Sequence, residues 1–259
     1  MPTQPQKPDP SKPPLKPRIS VVIPALNEEE PIAEVVRSVI RQHVDEIIVV
    51  DNGSTDDTSK RARSAGARVV KETRRGYGRA CRAGVEALGP ETDIIVFLDG
   101  DGSDCPDLMH RLVDPIVAGT HDFVIGSRAR GNCESGSMNP QQLLAGRIAG
   151  FLLGLLYGVR YTDMCPFRAI RRVTLEQLGM REETYGWNLE MQMRAAQARV
   201  RILEVPVDHR RRAGGQSKVS GTFKGTILAS SRIVATFLRV ARDSRAARAV
   251  PQGSAKAGR

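Results

Sequence analysis

The stretch Asp93–Asp104 reads DIIVFLDGDGSD. Five consecutive apolar residues without polar alternation are the pattern of a strand buried on both faces. A polar turn follows, in which Asp99 and Asp101 stand one residue apart and Gly100 and Gly102 permit a tight backbone. Outward from this point, Ile19–Ile23 (ISVVI), Glu46–Val50 (EIIVV), Ala67–Val70 and Phe123–Ile125 read as further strands. Helical patterns lie between them. NEEEPIAEVVRSVIRQ offers Asn27 as an N-cap and Ile32, Val35, Val36 and Val39 as an apolar stripe. Thr58–Ala65, Gly76–Leu88 and Pro106–Val117 are the other helices expected in this half. Strands alternating with helices predict an α/β fold with a mostly parallel central sheet and helices on both faces. Such sheets bind ligands beyond the carboxyl ends of their strands. PALNEE, DNGSTDD, DGDGSD and GSR all fall at those ends.

The second half is less regular. Gln141–Tyr157 reads as an apolar helix, TDMCPFRAIRR as strand or loop, WNLEMQMRAAQA as a helix and Arg201–Val205 as a short strand. HRRRAGGQSK is a basic loop. Ser220–Ala241 carries Phe223, Ile227, Val234, Phe237 and Leu238 at helical spacing among Lys and Arg, an amphipathic basic helix. The expected organisation is a Pro-rich disordered arm over 1–18, a globular domain over 19–219, the amphipathic helix over 220–242 and a disordered basic tail over 243–259. Seven of the 16 prolines lie in the first 17 residues, a composition that stays extended and solvated.

The chain has 259 residues and a net charge of +10. Residues 194–259 hold 15 Lys/Arg against 3 Asp/Glu, so the excess belongs to the C-terminal quarter. Such an end suits an anionic surface or a phosphorylated substrate. Nucleic-acid binding leaves the polar strand ends unexplained; aromatics are only 4% and no known nucleic-acid motif is present. Four cysteines without a C-x-x-C pair exclude a zinc ribbon and fit a reducing, cytoplasmic setting. The four histidines are scattered and suggest no metal cluster. The longest uncharged run, Ile148–Val159, is shorter than the roughly 18–20 residues that span a bilayer. No G-x-G-x-x-G follows the first strand and no G-x-x-x-x-G-K-[ST] occurs, which disfavours dehydrogenases and P-loop NTPases.

Two carboxylates one residue apart suit Mg²⁺ or Mn²⁺, hard cations that prefer oxygen. Asp51 closes the second strand, where a carboxylate accepts a hydrogen bond either from a nucleobase or from its own turn. Taken in order, IPALNEEE, VVDNGSTDDT, GYGRA, FLDGDGS and GSR resemble family 2 glycosyltransferases of GT-A fold over about Ile19–Arg128. TDMCPFRAI and GGQSKVSG resemble segments of dolichol-phosphate mannose synthase-like enzymes, which extends the likeness to about Thr226 and toward polyprenyl-phosphate sugar synthases.

The resemblance implies a role for each matching position. Pro24 and Glu28 would line the nucleotide-sugar site and Asp51 would contact the base. Asp99 and Asp101 would bind metal and donor diphosphate, with Ser103 beside them. Arg128 would meet a phosphate of the acceptor. Arg147, at the head of the apolar helix, and Arg212 would add to the acceptor-phosphate site, and Lys218 would close over the diphosphates. Glu190 stands where many members keep a general base. The reaction implied is inverting transfer of a hexose from a nucleoside diphosphate sugar of GDP-mannose or UDP-glucose type to polyprenyl phosphate. The alternative acceptor is a small hydroxyl compound, a sugar or sugar acid. A phosphate is already anionic and needs no base, whereas a hydroxyl would require Glu190 or Asp163. Glu190→Gln is therefore expected to stop transfer to a hydroxyl and to spare transfer to a phosphate. The apolar run and the basic helix also suit reversible attachment to an anionic membrane surface.

Overall fold

The computed structural model describes residues 16–138, 146, 150–151, 153–214 and 234–243. Arg147 and Lys218 lie outside the described residues, as do residues 1–15 of the expected Pro-rich arm, residues 220–233 of the expected amphipathic helix and residues 244–259 of the expected tail.

Seven strands form one sheet: β1 (Ile19–Ala25), β2 (Glu46–Asp51), β3 (Arg68–Lys71), β4 (Ile94–Phe97), β5 (Phe123–Ser127), β6 (Arg168–Arg171) and β7 (Ile202–Pro206). Their order is β3-β2-β1-β4-β6-β5-β7. All pairs are parallel except those of β6, which runs antiparallel to both β4 and β5. The sheet is thus mixed and mostly parallel. The central strands are apolar because both faces are covered: Val21 and Ile23 point into one core, and Val22 into the other. The helices α1 (Ile32–Ile40), α2 (Thr58–Ser64) and α4 (Met109–Val117) pack on the first face. Opposite them lie α3 (Tyr77–Glu86), α5 (Arg172–Leu178) and α6 (Trp187–Gln197).

Two local expectations are corrected. Asn27 does not cap α1, which starts after Pro31. Asn27 adopts a left-handed φ of 52°, and its Oδ1 accepts from the Thr55 N–H at 2.8 Å, tying the β1 loop to the β2 loop. The segment after β6 forms α5, absent from the sequence reading; Leu175 and Leu178 anchor it and Gly179 ends it in the left-handed region. Residues 150–151 and 153–157, and residues 234–243, are helical. Trp187 belongs to the core, edge-on to Phe97.

Candidate active site

The loops after β1, β2 and β4 open on one cleft of about 360 Å³. Parallel neighbours in a sheet end at the same level, so residues far apart in sequence meet there. Pro24, Ala25, Leu26 and Glu28 come from β1 and its loop, Asn52 from the loop after β2, and Asp99, Gly100 and Asp101 from the loop after β4. Gly76, Tyr77 and Ala80 at the start of α3 form another wall, with Arg75, Tyr185 and Arg212 at the rim.

Asp99 is held by the Tyr77 hydroxyl, which donates to its Oδ1 at 3.0 Å. Burial, reinforced by the charges of Asp101 and Asp104, pushes the Asp99 carboxyl well above the usual carboxylate range. Asp101 Oδ1 accepts from both the N–H and the hydroxyl of Ser103, at 2.9 and 2.6 Å. Ser103 thus orients Asp101. The other oxygen, Oδ2, faces Arg212 Nη1 at 2.8 Å, while Arg212 Nη2 reaches Glu28 Oε1 at 2.5 Å. Arg212 arrives on the basic loop, which is stitched to the DGDGS turn. The Arg210 N–H donates to the Ser103 carbonyl and the Ala213 N–H to the Asp101 carbonyl.

Asp51 does not line this cleft. Its oxygens accept from the Ser54 N–H at 2.8 Å and from the Ser59 hydroxyl. These bonds outweigh burial and hold its carboxyl below the usual range. Asn52 is the residue of that turn on the cleft. It donates to the Glu72 and Arg74 carbonyls and accepts from the Gly76 N–H, fixing the approach to α3.

Arg128 forms a two-pronged pair with Asp163, at 2.8 Å on each prong, and its N–H donates to the same carboxylate at 2.9 Å. Burial acts to raise the Asp163 carboxyl, but these bonds win and hold it low. Glu190 is fully buried in α6. Its oxygens accept from the N–H groups of Arg181 and Glu182 and from the side chains of Arg194 and Arg239. Neither carboxylate opens on the cleft. Glu190 instead secures a strap, residues 181–185, that crosses the start of α3 and carries Tyr185 to the rim. The Gly78 and Arg79 N–H groups donate to strap carbonyls. A Cβ on Gly76 or Gly78 would lie 2.3 Å from a strap carbonyl oxygen, so glycine is required there. Arg168 is buried against the carbonyls of Cys165 and Asn188 and over the Phe123 ring, a structural position.

Sequence reasoning missed His209 and Asp104. Both are buried, and Nδ1 of His209 stands 3.9 Å from Oδ1 of Asp104. Neither atom finds a hydrogen-bond partner among the described residues. An exposed pair of this kind would ionise. Here burial pushes Asp104 up to about 7, and burial together with the Arg128 charge pushes His209 down to about 4. Three carboxylates within six residues, two of them resisting ionisation, and an unpartnered imidazole nitrogen are chemically suited to a divalent cation. Among the described residues, however, no three His, Cys, Asp or Glu side chains come together as a group that could hold one. Asp101 is engaged by Arg212 instead.

Residues 20–179 match the family profile described as Glycosyl transferase family 2. An uncharacterized glycosyltransferase of Mycobacterium tuberculosis (strain ATCC 25618 / H37Rv) is 38% identical over 213 residues, 82% of this chain and 94% of that one. A dolichyl-phosphate hexose transferase of Haloferax volcanii is 34% identical over 203 residues, 76% of this chain and 84% of its own. Among solved structures, glucosyl-3-phosphoglycerate synthase from M. tuberculosis, in complex with Mn²⁺, uridine diphosphate and phosphoglyceric acid, superposes with a TM-score of 0.69. It is 28% identical, and the match covers 86% of this chain and 78% of that chain. The sheet order and the surrounding helices are those of the GT-A fold.

Proposed function

The chain belongs to glycosyl transferase family 2 and is a glycosyltransferase, and on that premise we propose that it moves a hexose from a nucleoside diphosphate sugar to polyprenyl phosphate, with inversion. The observation that carries the acceptor reading is the state of the two carboxylates suited to general-base work. Asp163 is locked by Arg128, and Glu190 by four donors. A hydroxyl nucleophile needs a base, and a phosphate does not. The name of the Haloferax relative supports the same acceptor class.

The donor would lie in the cleft beside Pro24, Glu28 and Asn52, with its diphosphate toward Asp99 and Asp101. Mg²⁺ or Mn²⁺ held by these carboxylates, with His209 and Asp104 behind them, would neutralise charge on the departing diphosphate. Arg212, once released from Asp101, presents a guanidinium fork to phosphate oxygens. Tyr77 fixes the Asp99 carboxyl, and Ser103 fixes that of Asp101. Arg128 is held rigidly by Asp163 in a charge-balanced pair, so a role toward the acceptor phosphate would use the guanidinium face that Asp163 leaves open. Roles for Arg147 and Lys218 remain part of the proposal. The domain organisation is carried over with it, and so is a cytoplasmic location peripheral to the membrane. Among the described residues, no helix is long and apolar enough to cross a membrane.

A second reading is transfer to a small hydroxyl acceptor, favoured by the likeness to a synthase crystallised with phosphoglyceric acid. Nucleotide release across a panel of nucleotide sugars, with and without a polyprenyl phosphate, separates the two. Release that depends on the lipid and on divalent metal, and that is lost in Asp101→Ala, supports the first. Metal-dependent release indifferent to the lipid but stimulated by phosphoglyceric acid would replace it with the second.

A further inference from the structure

The helix at 234–243 has two apolar faces. One is used: Val240 is fully buried, Thr236 nearly so, and Phe237 packs on the same core. The other carries Val234 and Leu238, one turn apart and each 57% exposed. The helical segment before β6 repeats the pattern. Leu153 is fully buried, whereas Phe151 and Leu155, one turn apart, are 72% and 74% exposed, with Leu156 beside them. The two segments sit together. Gln197 donates from its amide both to the Tyr157 hydroxyl, at 3.0 Å, and to the Val240 carbonyl, at 3.4 Å. Leu153 and Val240 share one buried cluster. Of the nine large apolar side chains exposed among the described residues, five lie on this pair of segments.

Among the described residues, the charges around these side chains that have no ion-pair partner are arginines. Arg160 is exposed, and its stem lies over Gly154, between Phe151 and Leu155 along the helix. Arg242 is exposed one turn beyond Leu238. Residues 148–160 contain no acidic residue. The carboxylates nearby are already paired: Asp163 with Arg128, Asp243 with Arg194, and Glu182 and Glu190 with Arg239. An apolar stripe rimmed by arginines that form no ion pair among the described residues is complementary to acyl chains beneath anionic headgroups.

We propose that the outer faces of residues 150–157 and 234–243 form one surface that docks in the interface of an anionic phospholipid bilayer. The inference rests on the lipid-phosphate reading of the acceptor, whose chemistry it extends to the surface on which that acceptor is presented. The inner face of the same helix meets the strap beside the cleft. Thr236 and Arg239 both donate to Glu182, at 2.8 and 2.7 Å. Docking therefore holds the rim that carries Tyr185 at a set distance from the membrane.

The test uses the full chain and vesicles of phosphatidylcholine with and without phosphatidylglycerol. The wild type should sediment with the phosphatidylglycerol vesicles. The pair Leu155→Glu and Leu238→Glu should bind them at least tenfold more weakly at unchanged melting temperature, both positions being exposed. The pair Arg160→Glu and Arg242→Glu should abolish the preference for phosphatidylglycerol. Wild-type protein that ignores anionic vesicles, or a leucine variant that binds as the wild type does, overturns the proposal. So does a wild-type dimer in sedimentation velocity that the leucine variant dissolves, which would assign the face to a second copy of the chain. Nucleotide release with a water-soluble short-chain polyprenyl phosphate separates this from the acceptor reading. Its absence in wild type that still binds vesicles would sink the acceptor and support the surface; its retention in a variant that binds normally would sink the surface alone.

Discussion

Glu190→Gln gives the most informative single test. Oε2 of Glu190 accepts from the Arg181 and Glu182 N–H groups at 2.9 and 2.6 Å, and Oε1 from Arg194 and Arg239 at 2.9 and 3.0 Å. Glutamine keeps the shape but has one accepting oxygen. Whichever way its amide turns, an NH₂ group faces two donors. Aimed at the arginines, it also removes one of two carboxylate partners from each guanidinium, leaving Arg194 with Asp243 and Arg239 with Glu182. Breaking a buried pair on one side costs about 3–5 kcal/mol. For a domain of this size that lowers Tm by about 10 °C. Arg239→Gln should cost less, about 1 kcal/mol, because Arg239 is 35% exposed.

A residue that shapes the strap and a residue that removes a proton respond differently. The family resemblance implied a base at Glu190, so that the glutamine variant would stop transfer to a hydroxyl. Its position in the fold predicts a protein melting about 10 °C lower. At temperatures where both forms are folded, kcat should stay within about tenfold of wild type with either acceptor, and the nucleotide-sugar KM should rise as Tyr185 loosens. Circular dichroism melts and steady-state kinetics on the same preparations provide both readings. An unchanged melting temperature together with a thousandfold loss of kcat toward a hydroxyl acceptor would refute this reasoning and restore the base.

Asp104 releases its proton at about 7 in the fold but near 4 when unfolded, so the folded state holds the extra proton between those values and stability falls as pH rises through them. Without divalent cations, Asp104→Asn should raise Tm little at pH 4 and progressively more up to pH 7; a constant difference would show that the burial argument fails. His209 acts in the opposite sense. It stays neutral in the fold down to about 4, so its contribution is lost as pH falls from 6.5 toward 4, and His209→Gln should flatten that limb of the melting profile. Gly78→Ala places a Cβ 2.3 Å from the Glu182 carbonyl oxygen, and should cost about 1–3 kcal/mol in urea unfolding and raise the nucleotide-sugar KM. Arg168→Ala should cost about 3–5 kcal/mol by the same assay, since it leaves a cavity and takes the guanidinium donor from the buried Cys165 carbonyl and the half-buried Asn188 carbonyl.

The cleft was legible in part because its polar motifs sit where strands end, and a parallel sheet brings those ends to one level whatever the helices between them do. The strand pattern placed PALNEE and DGDGSD together, whereas the roles of Pro24, Glu28, Asp99 and Asp101 came only from the family resemblance, and Asp51, also at a strand end, turns into its own loop. Asn27 misled because asparagine suits a helix cap and a loop-to-loop bridge equally well, and nothing local tells them apart. The residues that escaped reading are those whose partners lie far along the chain. Glu190 meets Arg239 across 49 positions. His209 reaches Asp104 only because the basic loop bridges to residues 104 and 133. Tyr185 reaches the cleft because a strap laid over two glycines delivers it there. No periodicity encodes such meetings.

The Arg212 bridge explains why a site built almost wholly from the first 101 residues needs the basic end of the chain. β1 and β4 are neighbours in the sheet, so Glu28 and Asp101 project from adjacent loops, both buried. Two carboxylates held so close repel unless a cation lies between them. Arg212 supplies that cation, donating to both, and the loop that carries it is fastened by backbone bonds to Ser103 and Asp101. On the proposed function, Asp101 would help to hold a divalent cation that neutralises donor diphosphate charge, and the Arg212 guanidinium would then have phosphate oxygens within reach of the same loop. Charge would stay balanced in both arrangements, so that donor binding would not have to strand a buried arginine or a buried carboxylate.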